Sequence, residues 1–100
     1  MTPQEQDMMA RFRRDYLDLL DGRVAKIEDL VTRHEVEPAE IALLSLESSS
    51  AMVGARELAT AVRRLRSALS SATPEVLHDL TSQLVVSARE AALGLGERSR

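Results

Sequence analysis

The stretch Ile41-Ala-Leu-Leu-Ser-Leu-Glu-Ser-Ser-Ser-Ala-Met-Val-Gly-Ala55 decides how this chain folds. At about 100° per residue it carries two apolar stripes instead of one. Ala39, Leu43, Leu46, Ser50 and Val53 follow a 4-3-4-3 spacing, the pattern of a helix packed into a core. Ile41, Leu44, Ser48 and Ala51 follow a 3-4-3 spacing on another side. Leu44 points about 200° away from Leu46. One helix cannot easily hide both in a small bundle. Either the helix is central and buried all round, or its second face is a contact surface.

Working outward, Gly54 is a natural left-handed stop for this helix, which is expected over Pro38 to about Val53. Pro38 disfavours helix at Glu37 and can itself open a helix, so His34-Glu-Val-Glu-Pro38 reads as a turn. Upstream, Met8, Phe12, Tyr16, Leu20, Val24, Ile27 and Val31 recur at 4-4-4-4-3-4, which predicts one amphipathic helix to about Arg33. Gly22 lies inside it at a cost of about 1 kcal/mol against alanine and admits a kink or a break. Residues 1–7 are expected to be a frayed lead-in, with Thr2 as a cap and Pro3 at a first helical position.

Downstream, a third helix is expected from about Ala55 to Ser70. Leu58, Ala61, Val62, Leu65 and Leu69 form its apolar face, with Arg56, Arg63, Arg64 and Arg66 largely off it. Thr73 as N-cap and Pro74 as first residue open the last helix, with Glu75 near its positive end. Leu77, Leu80, Leu84 and Ala88 share one side of it; it is expected to end near Leu93, leaving residues 94–100 as a flexible tail. There is no sustained period-two alternation and no Asn-Gly or Asp-Gly hairpin signal. The expected fold is all-α, one domain over residues 1–100, an antiparallel up-down four-helix bundle.

Composition narrows the chemistry. One hundred residues, 44% hydrophobic and 29% charged, suit a single domain with one core. Phe12 and Tyr16 are the only aromatic residues, so that core must be aliphatic. The absence of cysteine removes disulfides and thiolate chemistry and fits a reducing compartment. No apolar run approaches the roughly 18 residues that cross a bilayer, and the polar, acidic Gln4-Glu5-Gln6-Asp7 is unlike a secretory signal, so the expected location is cytoplasmic. A net charge of −3 argues against nucleic acid or an anionic membrane as partner. Arg13-Arg14 and Arg63-Arg64-Arg66 read as solvated helix faces.

No catalytic motif, metal-ligand set or cofactor loop is legible, and no enzyme is expected. His34-x-x-Glu37 spans a turn and has no second copy, so His34 reads as a surface turn residue. His78 reads as an exposed residue near the start of a helix. Ser48-Ser49-Ser50 offers either a phosphorylation target or small residues for close helix approach.

From Tyr16 to about Leu69 the chain resembles a histidine-containing phosphotransfer (HPt) domain, the four-helix relay module of two-component systems. Three segments carry the resemblance. Tyr16-Leu-Asp-Leu-Leu-Asp-Gly-Arg-Val24 is similar to the family's opening run. Ala55-Arg-Glu-Leu-Ala-Thr-Ala-Val-Arg-Arg-Leu-Arg-Ser-Ala-Leu69 is similar to its third bundle helix. Leu44-Ser-Leu-Glu-Ser-Ser-Ser-Ala-Met-Val-Gly-Ala55 lies on the signature His-Thr-Leu-Lys-Gly-Ser-Ala, continued by Ala-Asn-Leu-Gly-Ala. The departures fall where the chemistry should be. Leu44 stands in place of the phosphorylated histidine, Glu47 in place of the lysine that steadies the phosphate, and Ser48 in place of the glycine that gives it room. Ser45, Leu46, Ser49 and Gly54 keep residues that serve the fold. Leucine has no nucleophilic nitrogen and Glu47 repels a phosphoryl group, so relay through this position is chemically excluded.

The resemblance implies that Leu44 is exposed at the centre of a docking face. The expected function is therefore a non-catalytic pseudo-HPt module that binds a receiver domain or histidine kinase. Ile41, Leu44, Ser48 and Ala51 would supply the apolar centre, and Glu47 and Arg56 the rim. Two alternatives use the same sequence differently: a structural bundle that homodimerises or packs on another protein through this face, or an active relay protein using His34 or His78.

Overall fold

Helix boundaries in this chain follow from local hydrogen-bonding chemistry. A computed structural model describes residues 2–98; Met1 and the tail residues Ser99 and Arg100 lie outside the described residues. Thr2 Oγ1 accepts the Glu5 backbone N–H at 3.2 Å, and Glu5 Oε2 accepts the Thr2 N–H at 3.4 Å. This reciprocal capping box starts helix α1 (Pro3–Thr32) at Pro3, so most of the expected lead-in is helical. The helix passes through Gly22 without a break, and its 30 residues span about 45 Å. That length sets the 47 × 21 × 19 Å dimensions of the molecule.

Helix α1 ends in a left-handed turn at His34, φ 58°, where the sequence offers no glycine. The His34 N–H donates to the Val31 carbonyl and the Glu35 N–H to the Leu30 carbonyl, both at 3.0 Å. These two bonds satisfy carbonyls that the helix end would otherwise orphan. The sharp reversal lets helix α2 (Val36–Met52) begin two residues before Pro38. Pro38 then lies in the first turn, where a backbone N–H has no intrahelical partner to lose. The same device ends α2: Gly54, φ 81°, donates to the Ala51 carbonyl at 3.1 Å, and Ala55 to the Ser50 carbonyl at 2.8 Å.

Helix α3 (Arg56–Ala68) and helix α4 (Pro74–Arg98) complete the fold, with Thr73 Oγ1 capping the Val76 N–H at 3.3 Å. Helix α4 continues through Gly94 and Gly96, past the expected end at Leu93. Leu95, only 3% exposed, joins the core, and that burial offsets the low helix propensity of the flanking glycines.

The described residues form four helices and no strand. Helix α1 packs on α2 and α4, and α3 packs on α2 and α4, closing a ring as a four-helix bundle requires. Leu20, Ile27, Leu43, Leu46, Leu58, Val62, Leu65 and Leu84 are fully buried in one aliphatic cluster. Tyr16, 4% exposed, is the buried aromatic residue of this cluster; the partly buried Phe12 packs against it.

Gly22, inside α1, and Gly54, just past the end of α2, are predicted to respond oppositely to alanine. A Cβ at Gly22 meets nothing within 4 Å, so Gly22→Ala should raise stability by about 1 kcal/mol. Gly54→Ala puts a side chain on a left-handed residue and should lower it by about 1–2 kcal/mol. Urea unfolding of the two variants beside the wild type measures both, and equal shifts would contradict the assignment.

Candidate functional site

Helix α2 resolves the ambiguity of its two stripes. Ala39, Leu43, Leu46 and Ser50 are buried on the helix, and Val53 just after it, so this stripe faces the core. Ile41 and Leu44 are 70% and 52% exposed, and Ser48 and Ala51 are exposed with them. Four of the six residues expected at a docking face are thus brought together on the outward side of α2. Met52, 62% exposed, extends the apolar character by one residue.

The three serines have three different fates. Ser50 is fully buried, its Oγ 2.7 Å from the Tyr16 hydroxyl. Ser49 is half-buried and donates back to the Ser45 carbonyl at 3.0 Å. Ser48 is exposed and donates to the Leu44 carbonyl at 3.2 Å. Only Ser48 is open to solvent. The Tyr16–Ser50 bond ties α1 to the C-terminal half of α2 in an otherwise apolar interior. Burial pushes the Tyr16 hydroxyl pKa up, opposed by the Ser50 hydrogen bond and by the charge of Arg23. A second tie, Arg23 Nη2 to Ser45 Oγ at 3.1 Å, joins the same two helices nearer the middle of α2.

Glu47 is not a free rim charge. Its Oε1 accepts from Arg66 Nε at 3.2 Å and Nη2 at 2.9 Å, and its Oε2 accepts from Arg63 Nε at 3.3 Å. Both carboxylate oxygens are therefore committed to α3. The hydrogen bonds from Arg66 hold the carboxyl below the usual glutamate range, reinforced by Arg63 and opposed by partial burial. Nothing in the sequence spacing signals this clamp, since Glu47 and its partners Arg63 and Arg66 lie 16 and 19 residues apart. Arg56, exposed at the start of α3, lines hollows with Gln83, Ser87 and Glu90 of α4, none of which belongs to the Leu44 stripe.

Both histidines line a single hollow between the end of α1 and the start of α4, together with Glu28 and Ser82. Among the described residues no group of three or more His, Asp or Glu side chains could hold a metal ion. No described helix is long and apolar enough to cross a membrane.

Sequence reading missed what α1 adds beside the α2 face. Leu19 is 61% exposed and lies one turn before Arg23, the residue that reaches Ser45. The signal was present: Leu19, Arg23 and Lys26 recur at a 4-3 spacing off the stripe of Tyr16, Leu20 and Val24. No family profile, curated protein or solved structure matches this chain.

Two outcomes test this electrostatic account. Tyr16→Phe and Ser50→Ala each strand a buried hydroxyl and should each cost about 1–3 kcal/mol. The double variant removes both partners, so its cost should fall well below the sum of the single ones. The Glu47 clamp acts in acid: a depressed pKa adds stability above the unfolded value of about 4.3 that is lost as pH falls below it. Thermal melts at pH 7 and pH 3 should show a smaller acid loss for Glu47→Gln than for the wild type.

Proposed function

We propose that this chain is a non-catalytic docking module of phosphotransfer-like architecture. It binds a receiver domain or a histidine kinase of a two-component system through the outward face of α2. The observation that carries this reading is the exposure of Ile41 and Leu44 on a helix whose opposite stripe is fully committed to the core. Two large apolar side chains exposed side by side on one surface helix gain further free energy when a partner covers them. The resemblance assigns Leu44 the position of the signature histidine, which in that family stands at the centre of the docking face.

The architecture is read as antiparallel and up-down. Tyr16 meets Ser50 while Arg23 meets Ser45, so residue numbers rise along α1 as they fall along α2. The short connections 33–35, 53–55 and 69–73 support the same order around the ring. In this reading Glu47 serves the fold and the recognition surface is small and apolar, made of Ile41, Leu44, Ser48, Ala51 and Met52. Binding without transfer follows from the chemistry: a leucine presented to a phosphoaspartate accepts no phosphoryl group. Such a module occupies or scaffolds its partner.

Leu44→Glu tests the reading. Because Leu44 is half exposed, the variant should melt within a few degrees of the wild type. In affinity capture from a lysate, the wild type should retain a protein carrying a receiver or histidine-kinase domain, and the variant should not. Retention of the same proteins by both, or of none with such a domain, would refute it. Sedimentation of the two forms reports the competing outcome, a dimer that closes through the same face.

A further inference from the structure

The charge of the partner is written beside the docking face. Between α1 and α2 lies a hollow of about 480 Å³ whose floor includes Ile27, Leu30 and Ala42. Ile27 and Leu30 are almost completely buried, so the floor is continuous with the core. Ile41, the first residue of the exposed stripe, stands on its edge, which makes the hollow part of the same surface. Arg23 and Lys26 stand on the α1 side. No carboxylate lines it. Four other hollows of this molecule, whose net charge is −3, each include at least one glutamate: Glu28, Glu35, Glu57 or Glu90.

The two cations are available. Arg23 spends one of its five donors on Ser45 Oγ, a bond that fixes the guanidinium across the seam between the helices. Lys26 is exposed and has no ion pair with any described residue. They are three residues apart on one helix, about one turn, which matches the spacing of carboxylates at i and i+3 or i+4 of a facing helix. An apolar floor with a single-sign rim discriminates by charge as well as by shape: a basic segment would bring like charges together over a desolvated surface.

We propose that this groove takes an acidic amphipathic helix of the docking partner. One apolar side chain of that helix sits against Pro38, Ile41 and Ala42, the accessible apolar lining, and carboxylates one turn apart pair with Arg23 and Lys26. The inference rests on the docking reading above, because it supplies the flank of that same face. It adds the charge and secondary structure of what docks there.

The test uses two synthetic amphipathic helical peptides with identical Leu and Ile positions, one with glutamate and one with lysine on the polar face. Binding of each is followed by fluorescence anisotropy, and contacts by amide chemical shifts. The acidic peptide should bind, shift Ile41, Ala42 and Ser45, and weaken as salt is raised from about 0.05 M to about 0.5 M. The lysine peptide should bind at least about tenfold more weakly. Lys26→Glu, an exposed change that leaves the fold intact, should invert the preference, and Arg23→Gln, which keeps a donor for Ser45, should weaken the acidic peptide alone. Equal binding of both peptides, shifts confined to another face, or no effect of Lys26→Glu would overturn the inference. Because the peptides stand in for no cellular partner, such a failure leaves the docking reading intact if capture still depends on Leu44. Capture indifferent to Leu44→Glu fails that reading instead.

Discussion

The periodicity of α2, locked by one buried hydrogen bond, is the constraint on which the rest depends. A helix that commits Leu43, Leu46 and Ser50 to a core has no freedom left for residues 41, 44, 48 and 51. The Tyr16–Ser50 pair removes the remaining ambiguity about rotation. A hydroxyl pair inside an aliphatic core is costly unless both partners meet, so a turn of α2 about its axis would strand both groups. The exposure of Leu44 is thus not a local accident. It is the complement of what the core demands.

Charge is divided between two tasks on the two flanks of α2. On the α3 side, the Glu47 carboxylate is fully committed, one oxygen to Arg66 and the other to Arg63, and it holds α2 to α3. On the α1 side, Arg23 and Lys26 border a hollow whose lining includes no carboxylate. The two flanks therefore differ in what they can offer a partner. One is a closed ion pair of modest worth at a semi-exposed site. The other is a cationic rim beside the exposed Ile41, with Lys26 free of any ion pair to a described residue.

Much of this was legible in the sequence, and the misses have identifiable causes. The number and order of helices follow from 3.6-residue periodicity, and the two stripes of α2 were readable residue by residue because burial there obeys that period strictly. Boundaries were less legible. The end of α1, expected near Arg33, falls at Thr32, although the left-handed residue that follows is a histidine where sequence patterns favour glycine or asparagine. The end of α4 was missed because Gly94 and Gly96 signal a stop locally while Leu95 is held by tertiary packing. Partners distant along the chain, such as Glu47 with Arg63 and Arg66, leave no periodic trace at all. Leu19, Arg23 and Lys26 were visible as a pattern, but only the packing of α1 on α2 gives that pattern a place.

The central claim is that the outward face of α2 is where this protein meets its partner. Site-specific photo-crosslinking in living cells tests it most directly. A photoreactive residue is placed at position 44 and, as a control of similar exposure, at position 86 on α4, where Val86 is 51% exposed. The account predicts a discrete adduct from position 44, containing a receiver or histidine-kinase domain, and none from position 86. Identical products from both positions, or an adduct only at position 86, would contradict it.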